Sequence, residues 1–132
     1  MRFTRARRGT RRGTGAFVVL CGLAACAPAP LAPNTWKSVS AMPLSPFEIR
    51  EECVRLAQDD RLDYAFDATE PVAFEIHYRD GRAVIAPIVR DASVGDAGVF
   101  APIAARTYCL AWEAGPAGAL VDYRLRVRPP GR

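Results

Sequence analysis

From residue 62 onward, apolar and polar positions alternate along the chain. Leu62, Tyr64 and Phe66 are interleaved with Asp63, Ala65 and Asp67, and Val72, Phe74, Ile76 and Tyr78 with Ala73, Glu75, His77 and Arg79. The last segment is the cleanest: Val121, Tyr123, Leu125 and Val127 share one face, and Asp122, Arg124, Arg126 and Arg128 the other. A period of two puts successive side chains on opposite sides of an extended backbone, so each segment predicts a strand with one buried face. No convincing stripe of period 3.6 competes, apart from an ambiguous start at 47–56. Short strands bounded by turn residues predict an all-β chain, a single antiparallel β-sandwich of jelly-roll type over 47–128.

One hairpin is specified in more detail. Asp80-Gly81 is a two-residue turn signal, because a type I′ turn needs positive φ at both central residues, which Asp tolerates and Gly adopts freely. That turn would set Tyr78 opposite Ala83, Ile76 opposite Ile85, Phe74 opposite Pro87 and Val72 opposite Val89, with His77 opposite Val84 and Arg79 opposite Arg82. Pro87 cannot donate to a further strand, so the second strand should be an edge. Downstream, Asp91, Asp96, Gly95 and Gly98 read as a solvated loop. Its spacing fits neither a phosphate cradle nor an EF-hand.

Ahead of the strands the chain changes character. Six arginines within residues 2–12 precede an apolar run at 16–25 and then Leu23-Ala24-Ala25-Cys26. A basic stretch, a short apolar run and small residues in that order predict a secretory signal, too short for a permanent membrane helix of about 20 residues. Leu23-Ala24-Ala25-Cys26 resembles the lipobox of bacterial lipoproteins at all four positions. The resemblance implies removal of 1–25, lipidation of Cys26 and, with Ala27 following, residence in the outer membrane facing the periplasm. The lipid at Cys26 would then be the contact with the membrane. Arg11-Arg12 could suggest twin-arginine export, but Gly13-Thr14-Gly15 follows where an apolar residue is expected.

Removal of the leader changes the charge. The full chain carries a formal +4, whereas residues 26–132 hold 12 Lys and Arg against 14 Asp and Glu, a net −2. The basic balance belongs to the leader, which removes the argument for a nucleic-acid partner. Ala27 to Pro33 is proline-rich and predicts an extended spacer, so 26–46 reads as a linker and 47–128 as one domain.

Of four cysteines, Cys21 would leave with the leader and Cys26 would carry lipid, so Cys53 and Cys109 remain. Two thiols in an oxidising compartment most simply form one disulfide, the alternative being two buried free thiols. Cys53 falls on the face opposite Val54 and Leu56, and Cys109 opposite Tyr108, Leu110 and Trp112. A bridge would join the less apolar faces of neighbouring strands.

Pro71-Val72-Ala73-Phe74-Glu75-Ile76-His77-Tyr78, then Asp80-Gly81, and later Tyr108-Cys109-Leu110-Ala111-Trp112, resemble the GOLD-like family of small β-sandwich proteins over 47–127. The resemblance implies a compact sandwich used for protein or lipid recognition, without a catalytic constellation. That family often has a second histidine two places after the first, where this chain has Arg79, which weakens any metal role inherited by His77.

Composition limits the chemistry further. With a single histidine in the chain, a His-based metal site would need carboxylates or thiols to complete it, and a two-histidine copper site is excluded. Ser93 has no nucleophile elbow around it. The candidate binding residues are His77, Arg79 and Arg82, a polar patch in which two facing arginines would need an anion or carboxylate. Arg124, Arg126 and Arg128 predict a basic edge paired to Asp63 or Asp67, and Trp36 and Trp112 predict core or rim aromatics. The expectation is a non-catalytic binding module with a protein partner in the envelope, and with no metal or cofactor. The alternative is a small envelope hydrolase or metal-handling protein centred on His77.

Overall fold

A computed structural model describes residues 30–131. The leader and Cys26, and the expectations placed on them, lie outside the described residues. Among those residues there are six strands and no helix: β1 (Lys37–Leu44), β2 (Ile49–Leu56), β3 (Arg61–Asp80), β4 (Ala83–Phe100), β5 (Arg106–Ala114) and β6 (Ala119–Arg128). No described helix is long and apolar enough to cross a membrane. The all-β, antiparallel expectation is met, and the ambiguous stretch at 47–56 is strand β2. The ladder also begins earlier than the expected domain start at 47, because β1 pairs β6 from Lys37 opposite Leu125.

The strands form one curled antiparallel sheet in the order β1-β6-β3-β5-β2, with β4 pairing β3 along its other edge. The segments expected as separate strands at 62–67 and 72–79 are a single 20-residue strand, β3. Its first part pairs β6 from Arg61 to Ala68, and its second pairs β5 from Val72 to His77. Between the two ladders lies Pro71, which has no N–H to contribute. The long β3–β4 ribbon thus carries two wings, β1-β6 and β5-β2, folded toward each other as a half-barrel.

Alternation predicts the interior well. Leu62, Tyr64, Phe66, Val72, Phe74, Ile76 and Tyr78 of β3 are buried with Tyr108, Leu110 and Trp112 of β5 and Val121, Tyr123, Leu125 and Val127 of β6. Aromatic rings join the wings: Phe74 lies 4.8 Å from Phe66, and Trp112 stacks on Tyr123 at 4.7 Å between centroids. Offset and edge contacts of this kind contribute about 0.5–1.5 kcal/mol each beyond the area they bury. The outer strands of the wings are tied by side chains: Glu52 of β2 accepts from Lys37 of β1 at 2.6 Å and from the Tyr123 hydroxyl of β6 at 3.0 Å. Burial, followed by that bond to Glu52, pushes the Tyr123 phenol well above its ordinary pKa.

The hairpin register differs from expectation by two residues at the turn. Asp80 pairs Ala83, Arg79 pairs Val84 and Tyr78 pairs Ile85, so Gly81 and Arg82 are the central residues. Gly81 has φ +60° and Arg82 is not left-handed. Positive φ at the first central position alone is the type II′ pattern, for which glycine is the natural residue. A further shift follows, with Ile76 opposite Ile88, Phe74 opposite Arg90 and Val72 opposite Ser93. Ala86 and Pro87 together oppose His77 in a bulge, which accommodates the missing proline N–H. β4 is an edge strand, as Pro87 implied.

The segment read as a loop at 91–98 is the second half of β4. Its glycines answer a close approach. A Cβ at Gly98 would stand 2.9 Å from the Tyr64 hydroxyl oxygen, and one at Gly95 3.0 Å from the Phe66 carbonyl. The Tyr64 ring therefore lies across Gly98, and its hydroxyl donates to Asp96 at 3.2 Å. Burial, and then Asp96, raise the Tyr64 pKa.

Candidate functional site

The face of β2, β5 and β3 turned away from the aromatic core presents side chains in rows. Cys53, Cys109 and His77 make one row, since Cys109 lies opposite Cys53 on β2 and opposite His77 on β3. Glu51, Ala111, Glu75 and Val89 make the next, and Ile49, Glu113 and Ala73 the third. Small alanines floor the middle of this lattice and acids flank them. The result is a trough of about 220 Å³ lined by Glu51, Glu75, Glu113, Asp91 and Arg90, with Ile49 and Val89 on its rim.

Cys53 and Cys109 are joined as a disulfide. The bridge lies on the less apolar face, as their positions beside Val54, Leu56, Tyr108 and Leu110 require. It closes a separation of 56 residues; in the chain-entropy account a loop of that length is stabilised by about 4 kcal/mol, an upper figure. Both cysteines are half-buried.

His77 shares this outward face yet is only 4% exposed. Its Nδ1 lies 2.9 Å from Glu75 Oε1, and its Nε2 3.6 Å from Glu51 Oε1. The Glu75 oxygen is close but off the line of a hydrogen bond, and Nδ1 has no hydrogen-bonded partner. The imidazole is thus held between two carboxylates beside a disulfide, where the sequence suggested a patch with Arg79 and Arg82. That patch does not form as expected: Arg79 faces Val84, both arginines are exposed at the hairpin end, and among the described residues neither pairs with a carboxylate. The two-residue change in register is the cause, since it separates the arginines that a turn on Asp80-Gly81 would have set face to face.

The other wing carries a contrasting cluster. Asp63 of β3, 7% exposed, receives hydrogen bonds from Arg126 at 2.7 and 2.9 Å and from Arg128 at 2.7–3.0 Å. Bonds from Arg128, then from Arg126, hold the Asp63 carboxyl below the usual carboxylate range although burial opposes them. The same bond raises the Arg128 pKa. Trp36, half on the surface, stacks under Arg126 at 4.5 Å and Arg124 at 4.9 Å. Of the expected basic edge, Arg126 and Arg128 are paired to Asp63, while Arg124 stacks on Trp36. Trp112 is in the core and Trp36 on the rim.

Sequence reasoning did not single out Glu51, Glu75 or Glu113. Their positions two residues apart from Cys53, His77 and Ala111 along each strand placed them on the shared face, but only the sheet order makes them neighbours. No family model matches the chain, and neither does any curated protein.

Proposed function

We propose that this chain is a lipid-anchored binding module of the bacterial envelope, non-catalytic, held at the outer membrane through Cys26 and facing the periplasm. Its two wings are read as the sheets of a GOLD-like sandwich, and the aromatic layer between them supports that reading. The partner is a protein whose extended, basic segment adds to the free edge of β4.

One observation carries this reading. β4 runs for 18 residues and pairs only β3, so its far edge offers unpaired N–H and C=O groups, the template for strand addition. Val84, Val89, Val94 and Val99 along it are each at least half exposed. Beside Val89 the trough is lined by Glu51, Glu75, Glu113 and Asp91 together with Arg90, which is itself paired to Asp96; the excess of carboxylates matches lysine or arginine side chains on the incoming strand. The Ser93 hydroxyl donates to the Gly95 carbonyl at 2.5 Å.

A photo-crosslinking residue placed at Val89 or Val94 of the protein in native envelope tests the edge. One stoichiometric adduct from these positions, absent from a probe at exposed Leu120 and displaced by an alternating Lys/Val peptide but not by a Glu/Val peptide, is the expected result. Equal labelling from Leu120 would overturn it. Mass spectrometry of the native amino terminus tests the anchor separately, and an unacylated, uncleaved terminus would remove it.

A further inference from the structure

We propose that Cys53, Cys109, His77 and Glu51 form a latent site for a thiophilic metal ion of the zinc class, closed while the cysteines are joined and opened by their reduction. The inference does not rest on partner binding at β4. The oxidised bridge has no thiolate to offer, because the thiolate is the ligand. Reduction by a dithiol transfers two electrons and two protons to the disulfide, leaving two thiols here and a disulfide on the reductant. Metal binding then displaces the two thiol protons.

The placement of the donors supports the site. Cys109 has Cys53 as its direct neighbour on one side and His77 on the other. Glu51 follows one position along the same face of β2, and its carboxylate and the two sulfurs all lie within 4.8 Å of one another; His77 stands outside that trio, next to Glu51, and its imidazole would close on the sulfurs once reduction lets them separate. The His77 Nε2 to Glu51 Oε1 distance is 3.6 Å. In a tetrahedral site with bonds of about 2.0–2.3 Å, donor atoms stand about 3.3–3.8 Å apart. That pair is therefore already at the spacing of two ligands of one ion.

Two further observations point the same way. His77 is a buried imidazole whose Nδ1 has no hydrogen-bonded partner, although Glu75 Oε1 stands 2.9 Å from it. A small rotation would align that bond, giving the carboxylate–histidine arrangement that orients a metal-binding imidazole and leaves Nε2 free to bind. The bridge also lies outside the core. The half-buried cysteines can be reached by a reductant, while the β2–β5 ladder from Ile49 to Leu56 and the buried Val54, Leu56, Tyr108 and Leu110 hold the strands together without it.

The test is a titration of the purified protein with Zn²⁺, and with Co²⁺ as a spectroscopic probe, before and after anaerobic reduction by a phosphine. The reduced protein should bind one equivalent and show thiolate-to-cobalt charge transfer with tetrahedral d–d bands, and the oxidised protein should show neither. Cys109→Ser should abolish the charge-transfer band, and His77→Gln and Glu51→Gln should each shift the d–d bands. Glu75→Gln should weaken binding about 10- to 100-fold while leaving the d–d bands in place, since it acts through the imidazole. If reduction unfolds the metal-free chain, one equivalent of Zn²⁺ must restore the native circular dichroism, as a ligand specific to the folded state does. Binding that is unaffected by reduction, d–d bands indifferent to His77→Gln and Glu51→Gln, or failure of Zn²⁺ to restore the fold would each overturn the proposal.

Discussion

On the β6 wing, a buried carboxylate, Asp63, is clamped by two guanidiniums at 2.7–3.0 Å. On the β5 wing, a buried imidazole, His77, lies between two carboxylates without an aligned bond to Nδ1. Both residues project from the same strand, β3, onto its outer face. They differ in their cross-strand neighbours: Asp63 faces Arg126, whose Nε and Nη2 both donate to Oδ2, whereas His77 faces a half-cystine. A saturated buried charge stiffens the fold, while a buried polar group without a partner, as at His77 Nδ1 and also at Trp112 Nε1 in the core, costs stability unless something completes it. On the proposed reading, the first wing is structural and the second is the working face.

The comparison can be broken or sharpened by experiment. The largest effect is expected from Cys53→Ala/Cys109→Ala, which should lower the stability of the folded state by up to about 4 kcal/mol, measured by urea denaturation together with the steeper m-value of a more expanded unfolded chain. Next, Asp63→Asn should lower stability by about 2 kcal/mol, the scale of charge-assisted hydrogen bonds that water can partly replace because the guanidiniums are themselves partly exposed. An Asp63→Asn protein as stable as the wild type would erase the contrast between the wings.

The pH dependence of stability should separate them as well. Folding lowers the Asp63 pKa below its ordinary value of 3.8, so at acid pH the unfolded chain binds the extra proton. The stabilisation is complete above about pH 4 and is lost as pH falls through the folded value. Acid titration of stability in the wild type against Asp63→Asn should show that limb flattened in the variant. Smaller still, His77→Gln in the oxidised protein should change stability by about 1 kcal/mol or less, since no aligned bond to Nδ1 is lost. Trp36→Ala should remove about 0.5–1 kcal/mol of cation–π contact from the Asp63 wing alone.

Much of the inner face was legible before the structure. Leu62 to Phe66, Val72 to Tyr78 and Val121 to Val127 go inside because period-two alternation depends only on local pleating, and Cys53 and Cys109 meet because two thiols on the polar faces of adjacent strands can only meet there. The hairpin register was less legible. Asp80-Gly81 signals a turn at two alternative settings, and the choice of Gly81-Arg82 as centre displaced every expected pair. The glycine-rich stretch of β4 looks like a loop in sequence because Gly95 and Gly98 lack side chains to alternate, while the reason for them, the Tyr64 ring lying across Gly98, belongs to another strand. Alternation puts His77 on an outward face, where it is found, but its burial beside Glu51 and Glu75 depends on β5 pairing β3 and β2 pairing β5.

The sequence by itself determined that the chain would be strands, which side of each would be buried, and that Cys53 and Cys109 would lie on the polar side, because these follow from backbone geometry and hydrophobic burial within a few residues. Only the tertiary structure decided that β3 serves two wings, that β4 is left as a free edge, and that His77 stands in one row with the disulfide and within reach of Glu51. Those relations join positions up to 67 residues apart (Arg61 to Arg128), and pairing across a sheet is selected by the combined packing of all its strands.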